Sequence, residues 1–348
     1  MKNSDPSRYS PSIVDRINAW VDNVDLPNWF VFVGFYILFL LNNQGTAWLE
    51  GSAEFGQFEL SKVQTSIWPV LTLALIKYLD RIAKAAALAF QPLRKHNIQE
   101  YKVQVFELLN MPARTVWILI LFTPTLVLLS YILDLNFVSF HAKAPSSLFA
   151  EILSFGIGFS PFPIFVYHTL RQMKLVSLIH AELEDIDLFN STPLYSFSVL
   201  TSRTGMAWVF LLSTTLLFTI ITSDSFGYLP STLFYSITLM EIALAVASFI
   251  LPLISLHNKM ENAKSLLIDG INVNMEEIIR KTGSQARKLN PSKAAVQYDL
   301  VQTIQAQHDY VSKLPTWPWN TDTLRAFLSV IILPILLSII QTIIDRLF

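Results

Sequence analysis

The 348-residue chain contains no cysteine and only ten glycines, and charged residues make up 15% of it. The absence of cysteine excludes disulfides, thiol chemistry and cysteine-ligated metal sites. The sequence has no Walker-type or GxGxxG loop and no HExxH motif, and its six histidines are scattered. A net charge of −1 gives no support for nucleic acid as a partner. The sequence therefore predicts a protein that is not an enzyme, with no cofactor and no metal.

Apolar residues are abundant and form 52% of the chain. Its 15% of charged residues is well below the roughly 25% that is typical of soluble domains. About 20 apolar residues cross a bilayer core of ~30 Å as a helix. The prediction is an all-α, polytopic membrane helical bundle of about seven transmembrane helices with a helical cytoplasmic layer. The predicted segments are Trp29–Leu41 (prolonged toward Trp48), Ile67–Ile76 (continuing to about Phe90), Val116–Leu133, Leu148–Leu170, Met206–Thr222, Ser231–Leu256 and Phe327–Ile344.

Lysine and arginine collect before the first segment and in alternate loops, which orients the predicted helices. This pattern predicts a multi-pass cell-membrane protein with a cytoplasmic N-terminus and an extracytoplasmic C-terminus. Three regions follow: 1–256, the first six helices; 257–320, a cytoplasmic helical region; and 321–348, the last helix. Within the cytoplasmic region, Gly283 and Asn290–Pro291 are expected to break a helix, with a second helix over Ser292–Lys313.

Glu241 lies in a run of about 26 residues, Ser231–Leu256, that has no other charge. A carboxylate within a membrane helix is costly and usually faces the bundle interior, a partner or a water-filled path. One interpretation gives Glu241 a role in transport or gating. The other keeps it protonated, or hydrogen-bonded to a neighbouring helix, as a structural group.

Lys77, Asp80, Arg81 and Lys84 recur at helical spacing and share one face of the second segment. Such a stripe could line an anion path, or Lys77 could pair with Glu241. The alternative is a long helix whose charges lie at the inner membrane surface, with Lys77 reaching water along its own aliphatic chain.

The fourth segment contains Gly156, Gly158, Ser160, Pro161 and Pro163 within eight residues. Two glycines and two prolines do not fit a straight helix. Unwound backbone in a membrane is stable where it is buried in protein or lines a cavity. These residues are therefore candidates for the wall of a site, and the alternative is a kink without a function.

Two further residues complete the candidate polar path. His168 flanks the broken fourth segment, and Gln341 is, with Pro334, the only feature of the seventh segment that could matter to a pore. Glu241, Lys77, Asp80, Arg81 and the fourth-segment residues supply the rest.

The functional hypothesis is a channel or carrier for a small ion or solute, embedded in the lipid bilayer and assembled from several copies. The alternative is a non-conducting membrane sensor or scaffold whose cytoplasmic helices bind a partner. The plan of seven helices with a long cytoplasmic helical extension is similar to that of insect gustatory and odorant receptor channels. That similarity is of architecture alone and transfers no residue.

Overall fold

The computed structural model describes residues 9–51, 53–94, 97–133, 152, 156, 158–183, 186–221, 231–285, 291–332 and 336. These residues contain helices and no strand, which confirms the all-α class. Residues 321–332 are also helical. The helices are α1 (Ile13–Asn23), α2 (Asn28–Glu50), α3 (Leu60–Phe90), α4 (Ile98–Leu109), α5 (Ala113–Ile132), α6 (Pro161–Ala181), α7 (Ser196–Ile221), α8 (Ser231–Gln285) and α9 (Pro291–Ser312).

Two helices of the described residues are long and apolar enough to cross a membrane. They cover Asn28–Leu49 and Leu239–Lys281, and a shorter apolar helix covers Ala113–Leu129. This finding does not confirm seven crossings. The fourth and seventh predicted segments fall partly outside the described residues.

α8 is longer than the sixth predicted segment, and the prediction that Gly283 breaks a helix is wrong. The helix runs without interruption past Leu256 and through Gly283 to Gln285. A glycine inside a helix costs only about 1 kcal/mol relative to alanine, so it weakens a helix without ending it. Pro291 begins α9, because proline fits the first turn, where its missing N–H leaves no bond unmade.

The centre of the bundle is built from α3, α6, α7 and α8. Trp208 of α7 is fully buried there and lies 4.8 Å, ring to ring, from Phe165 of α6. Its indole Nε1 donates a hydrogen bond of 3.1 Å to Thr169 Oγ1. This contact fixes α6 and α7 at a common level.

The outer faces of α2 and α5 are apolar, whereas several side chains turned inward are polar. Trp29 is 66% exposed and Leu121 is 60% exposed. Inside, Asn43 Nδ2 donates to Ser66 Oγ at 2.9 Å, and Gln44 is fully buried. Exposed apolar patches of this kind mark surfaces that contact something other than water.

A second cluster joins the end of α3 to α4, to the last turns of α6 and to the first turns of α7. Its aromatic centre includes Phe90, Phe197 and the fully buried His180. His180 Nδ1 lies 3.1 Å from the carbonyl oxygen of Pro252 in α8. Burial lowers the pKa of His180 to about 4, so the ring is neutral at pH 7.

Acidification is therefore expected to destabilise this cluster. In the unfolded chain His180 becomes protonated near pH 6.5, whereas in the folded chain it stays neutral down to about pH 4. Stability is thus lost as the pH falls below 6.5, by about 2 kcal/mol at pH 5 from this group. Thermal unfolding in detergent at pH 7.5 and pH 5 measures the loss. His180→Asn, whose amide can still donate to Pro252 and does not titrate, should lose less; an equal loss in both proteins would contradict the prediction.

Candidate functional site

Lys77 of α3 is held by α1. Its Nζ lies 2.5 Å from Asp22 Oδ1 and donates to the carbonyl oxygen of Asn18 at 2.9 Å. The hypothesis that Lys77 pairs with Glu241 is therefore not what the structure shows. The α1 residues are 59 and 55 positions away in sequence, and no sequence spacing marked them as partners.

Asp80 and His168, both flagged from the sequence, are brought together. His168 Nε2 lies 2.8 Å from Asp80 Oδ1, and Gln172 Nε2 donates to the same oxygen at 3.3 Å. Because a carboxylate accepts hydrogen bonds, this geometry places the ring proton on Nε2. His168 Nδ1 and Gln172 Oε1 are then buried acceptors with no hydrogen-bond partner within the described part of the chain.

Glu241 is 3% exposed, and its Oε2 has no hydrogen-bond partner among the residues that the structure describes. Buried polar atoms are almost always paired, since an unpaired one costs about 1–3 kcal/mol. The sequence identified this carboxylate from its isolation among apolar residues, and its burial is now established.

Glu241 lies on α8, which packs against both α6 and α7. His180 of α6 contacts the carbonyl oxygen of Pro252 in α8, and Gly205 of α7 packs against the backbone of Ala245. Three buried side chains of this bundle, His168, Gln172 and Glu241, each keep a polar atom that is unpaired within the described residues.

A cavity of about 540 Å³ lies between α1, α3 and the start of α2. Lys77, Asp80 and Arg81 line it, together with Asp15 and Asn18 of α1. Further residues in its wall are Ala19, Asp22, Asn28, Phe32, Ala74, Tyr78, Lys84, Leu109 and Asn110. The cavity brings the predicted charged stripe of α3 together in one polar space.

The contribution of α1 to this cavity was missed from the sequence. Ser12 and Asp15 form a capping box that starts α1, a local signal visible as Ser-x-x-Asp. Asp15 Oδ2 accepts from the backbone of Ser12 at 2.8 Å and of Met111 at 2.9 Å, which fastens α1 beside the end of α4. Burial raises the pKa of Asp15; the hydrogen bonds from Ser12 and Met111 oppose this, and the charge of Asp80 adds to it.

The glycine- and proline-rich candidates lie outside the cavity lining. α6 begins at Pro161, with Ser160 at its N-cap, so the fourth segment is not one straight helix through Pro161. Gly156 is buried, and a Cβ there would lie 2.7 Å from Pro124 Cα. The described residues therefore give Gly156 a packing role against α5. Gly158 is buried in the turn before α6, and Gln341 lies outside the described residues.

Comparison with known proteins returned no match: no protein-family model fits the chain, and neither a curated protein nor a solved structure matches it.

Proposed function

We propose that this chain is a multi-pass membrane protein that forms a channel or carrier for a small ion or solute, as an oligomer, with a cytoplasmic N-terminus. One observation carries the proposal: His168, Gln172 and Glu241 each keep a buried polar atom unpaired within the described residues, and Asp80, the partner of His168, lines a cavity with charged walls. Unpaired buried groups are expensive, and a transported species or water that visits them would satisfy them.

The apolar outer faces of α2, α5 and α8 support the membrane part of the proposal. Leu38, Ile118 and Leu239 are exposed to 64%, 59% and 68%, and a lipid environment removes the cost of that exposure. The basic residues Arg81 and Lys84 line the cavity. Because Lys and Arg are enriched on the cytoplasmic side of membrane proteins, their position favours an opening of the cavity toward the cytoplasm.

The path in this proposal starts at the cavity and continues through the Asp80–His168 pair toward Glu241. His168 is oriented by Asp80 through Nε2, which leaves Nδ1 as a hydrogen-bond acceptor without a partner among the described residues. Glu241 then offers a buried carboxylate, which α8 supplies. An ion or polar solute would thus meet polar groups from α1, α3, α6 and α8 in turn.

Ion or solute flux in proteoliposomes tests the proposal. Glu241→Gln removes the charge with little change of volume, and we expect flux to fall at least about tenfold, or its selectivity to change. Glu277→Gln, the same substitution at an exposed glutamate on the same helix, should leave flux unchanged. Unaltered flux in Glu241→Gln would place the path elsewhere.

A sensor or scaffold is the second candidate, and the α8–α9 hairpin favours it. Leu266, Val273, Val296 and Tyr298 are exposed to 73%, 63%, 67% and 64%, which is a large apolar area for a pair of helices in water. A correctly folded and inserted protein that carries no tested cation or anion would support this second function instead of transport.

A further inference from the structure

The cavity wall contains polar atoms that the described residues do not satisfy. Asn18 is 9% exposed, and neither Nδ2 nor Oδ1 of its side chain has a hydrogen-bond partner in the described ranges. Asp15 Oδ1 is buried and equally without a partner there, although Oδ2 of the same carboxylate accepts three hydrogen bonds. Both residues line the cavity. A ligand in the cavity would supply the partners that these atoms lack.

The inner wall carries negative charge. Asp15 of α1 and Asp80 of α3 both line the cavity; burial raises the pKa of Asp15, and the charge of Asp80 adds to this rise. The ammonium of Lys77 is engaged by Asp22 and by the backbone of Asn18. A cationic group with N–H donors would pair with the free Oδ1 of Asp15 and add a positive charge near Asp80.

The outer wall carries positive charge. Arg81 and Lys84 lie on exposed turns of α3 and line the same cavity. Asp80 and Lys84 are four residues apart and therefore share one face of the helix, about one turn from each other. Besides the Lys77–Asp22 pair, the cavity thus holds two carboxylates, Asp15 and Asp80, and two basic side chains, Arg81 and Lys84, with Asp80 and Lys84 a few ångströms apart along α3.

We infer that this cavity binds a zwitterionic group, a primary ammonium joined by a short linker to an acidic group. The ammonium donates to Asp15, Asn18 and Asp80, and the acidic group pairs with Arg81 and Lys84. The group is either the ethanolamine phosphate head of a membrane lipid or a free solute of the same chemistry. The claim that this group is the transported substrate rests on the proposed function. The claim that the cavity binds the group can be tested without measuring transport.

The first test is calorimetric binding of O-phosphoethanolamine to the full chain in detergent, compared with phosphocholine. Both probes carry the same charges, but the quaternary nitrogen of phosphocholine has no N–H to donate. We expect phosphoethanolamine to bind at least about tenfold more tightly, since charge-assisted hydrogen bonds are lost with phosphocholine. Equal affinities, or no binding of phosphoethanolamine, would overturn the inference.

The second test uses Asn18→Leu, with Asn274→Leu at an exposed site of α8 as its control. Asn18→Leu should fold at least as well as the parent, because it replaces an unsatisfied buried amide, and it should lose phosphoethanolamine affinity about tenfold. Lys84→Gln, at an exposed position, should weaken the affinity similarly and serves if Asn18→Leu does not fold. Retained affinity in a folded variant of either residue would overturn the assignment.

Nanodiscs separate the two sources of the ligand. If phosphatidylethanolamine in the disc, but not phosphatidylcholine, blocks phosphoethanolamine binding, the site takes a lipid head group. Binding that is equal in both discs assigns it to a free solute. Binding by a protein that shows no flux keeps the site and rejects transport, whereas flux without binding rejects the site alone.

Discussion

Glu182→Ala is expected to lower the free energy of unfolding by about 3 kcal/mol. Arg94, whose side chain is 3% exposed, donates from Nη2 to Glu182 Oε2 and from Nη1 to the carbonyl oxygen of the same residue, both at 2.7 Å. Gln104 Nε2 donates to that carboxylate at 2.6 Å. The variant leaves a buried guanidinium nitrogen without its acceptor, which typically costs about 3–5 kcal/mol. We expect the lower end of this range, about 3 kcal/mol, because the Glu182 side chain is 38% exposed and water weakens the pair.

Glu277→Ala is the matched control. Glu277 pairs with Lys281 one turn away in α8, and both side chains are more than half exposed. Exposed pairs of this kind contribute little, because water and salt screen them. Chemical or thermal unfolding of both variants in the same detergent makes the comparison. Similar unfolding midpoints for the two variants would show that Arg94 finds another acceptor and that the contact between the turn after α3 and the end of α6 does not depend on this pair.

Gly205→Leu is expected to destabilise the bundle by about 3 kcal/mol. A Cβ on Gly205 would lie 2.6 Å from the ring of Phe327 and 2.7 Å from the backbone oxygen of Ala245. The ring could turn aside, but the α8 backbone could move only by separating from α7. Overpacking typically costs about 1–3 kcal/mol, and the backbone contact places this site at the upper end. Small residues at helix contacts permit such close approach, above all in membranes.

Gly270→Leu makes the same substitution inside α8, where a Cβ would meet nothing within 4 Å. Leucine favours the helix over glycine by about 0.8 kcal/mol, so this variant should be slightly more stable than the parent protein. The two variants therefore shift the unfolding midpoint in opposite directions. A Gly205→Leu protein as stable as the Gly270→Leu protein would show that α7 and α8 do not need their close contact.

The helices were largely predictable, because long apolar runs have few alternatives to the helix. α2, α5 and α7 cover the first, third and fifth predicted segments, and α9 begins and ends within one residue of the predicted Ser292–Lys313. Errors arose where a helix continues beyond its apolar part. α8 extends through Gly283 because the polar sequence beyond Leu256 retains helical propensity, and a single glycine does not outweigh it.

Part of the candidate site was also predictable. Glu241, Lys77 and Asp80 stood out because charged residues are rare in apolar segments, a property that composition alone reveals. Their partners did not stand out. Lys77 pairs with Asp22 of a polar N-terminal helix, and Asp80 with His168, 88 residues away. Nothing local in a sequence specifies which helix packs on which.

The sequence by itself determined an all-helical chain, the isolation of Glu241 among apolar residues and the single charged face of α3. These properties follow from composition and from the 3.6-residue period of the helix, which are local. The tertiary structure alone decided that α1 closes a cavity over that face. It also decided that His168 pairs with Asp80, and that Glu241 is buried. These arrangements depend on the packing of helices distant in sequence, where close contacts such as that at Gly205 set the register.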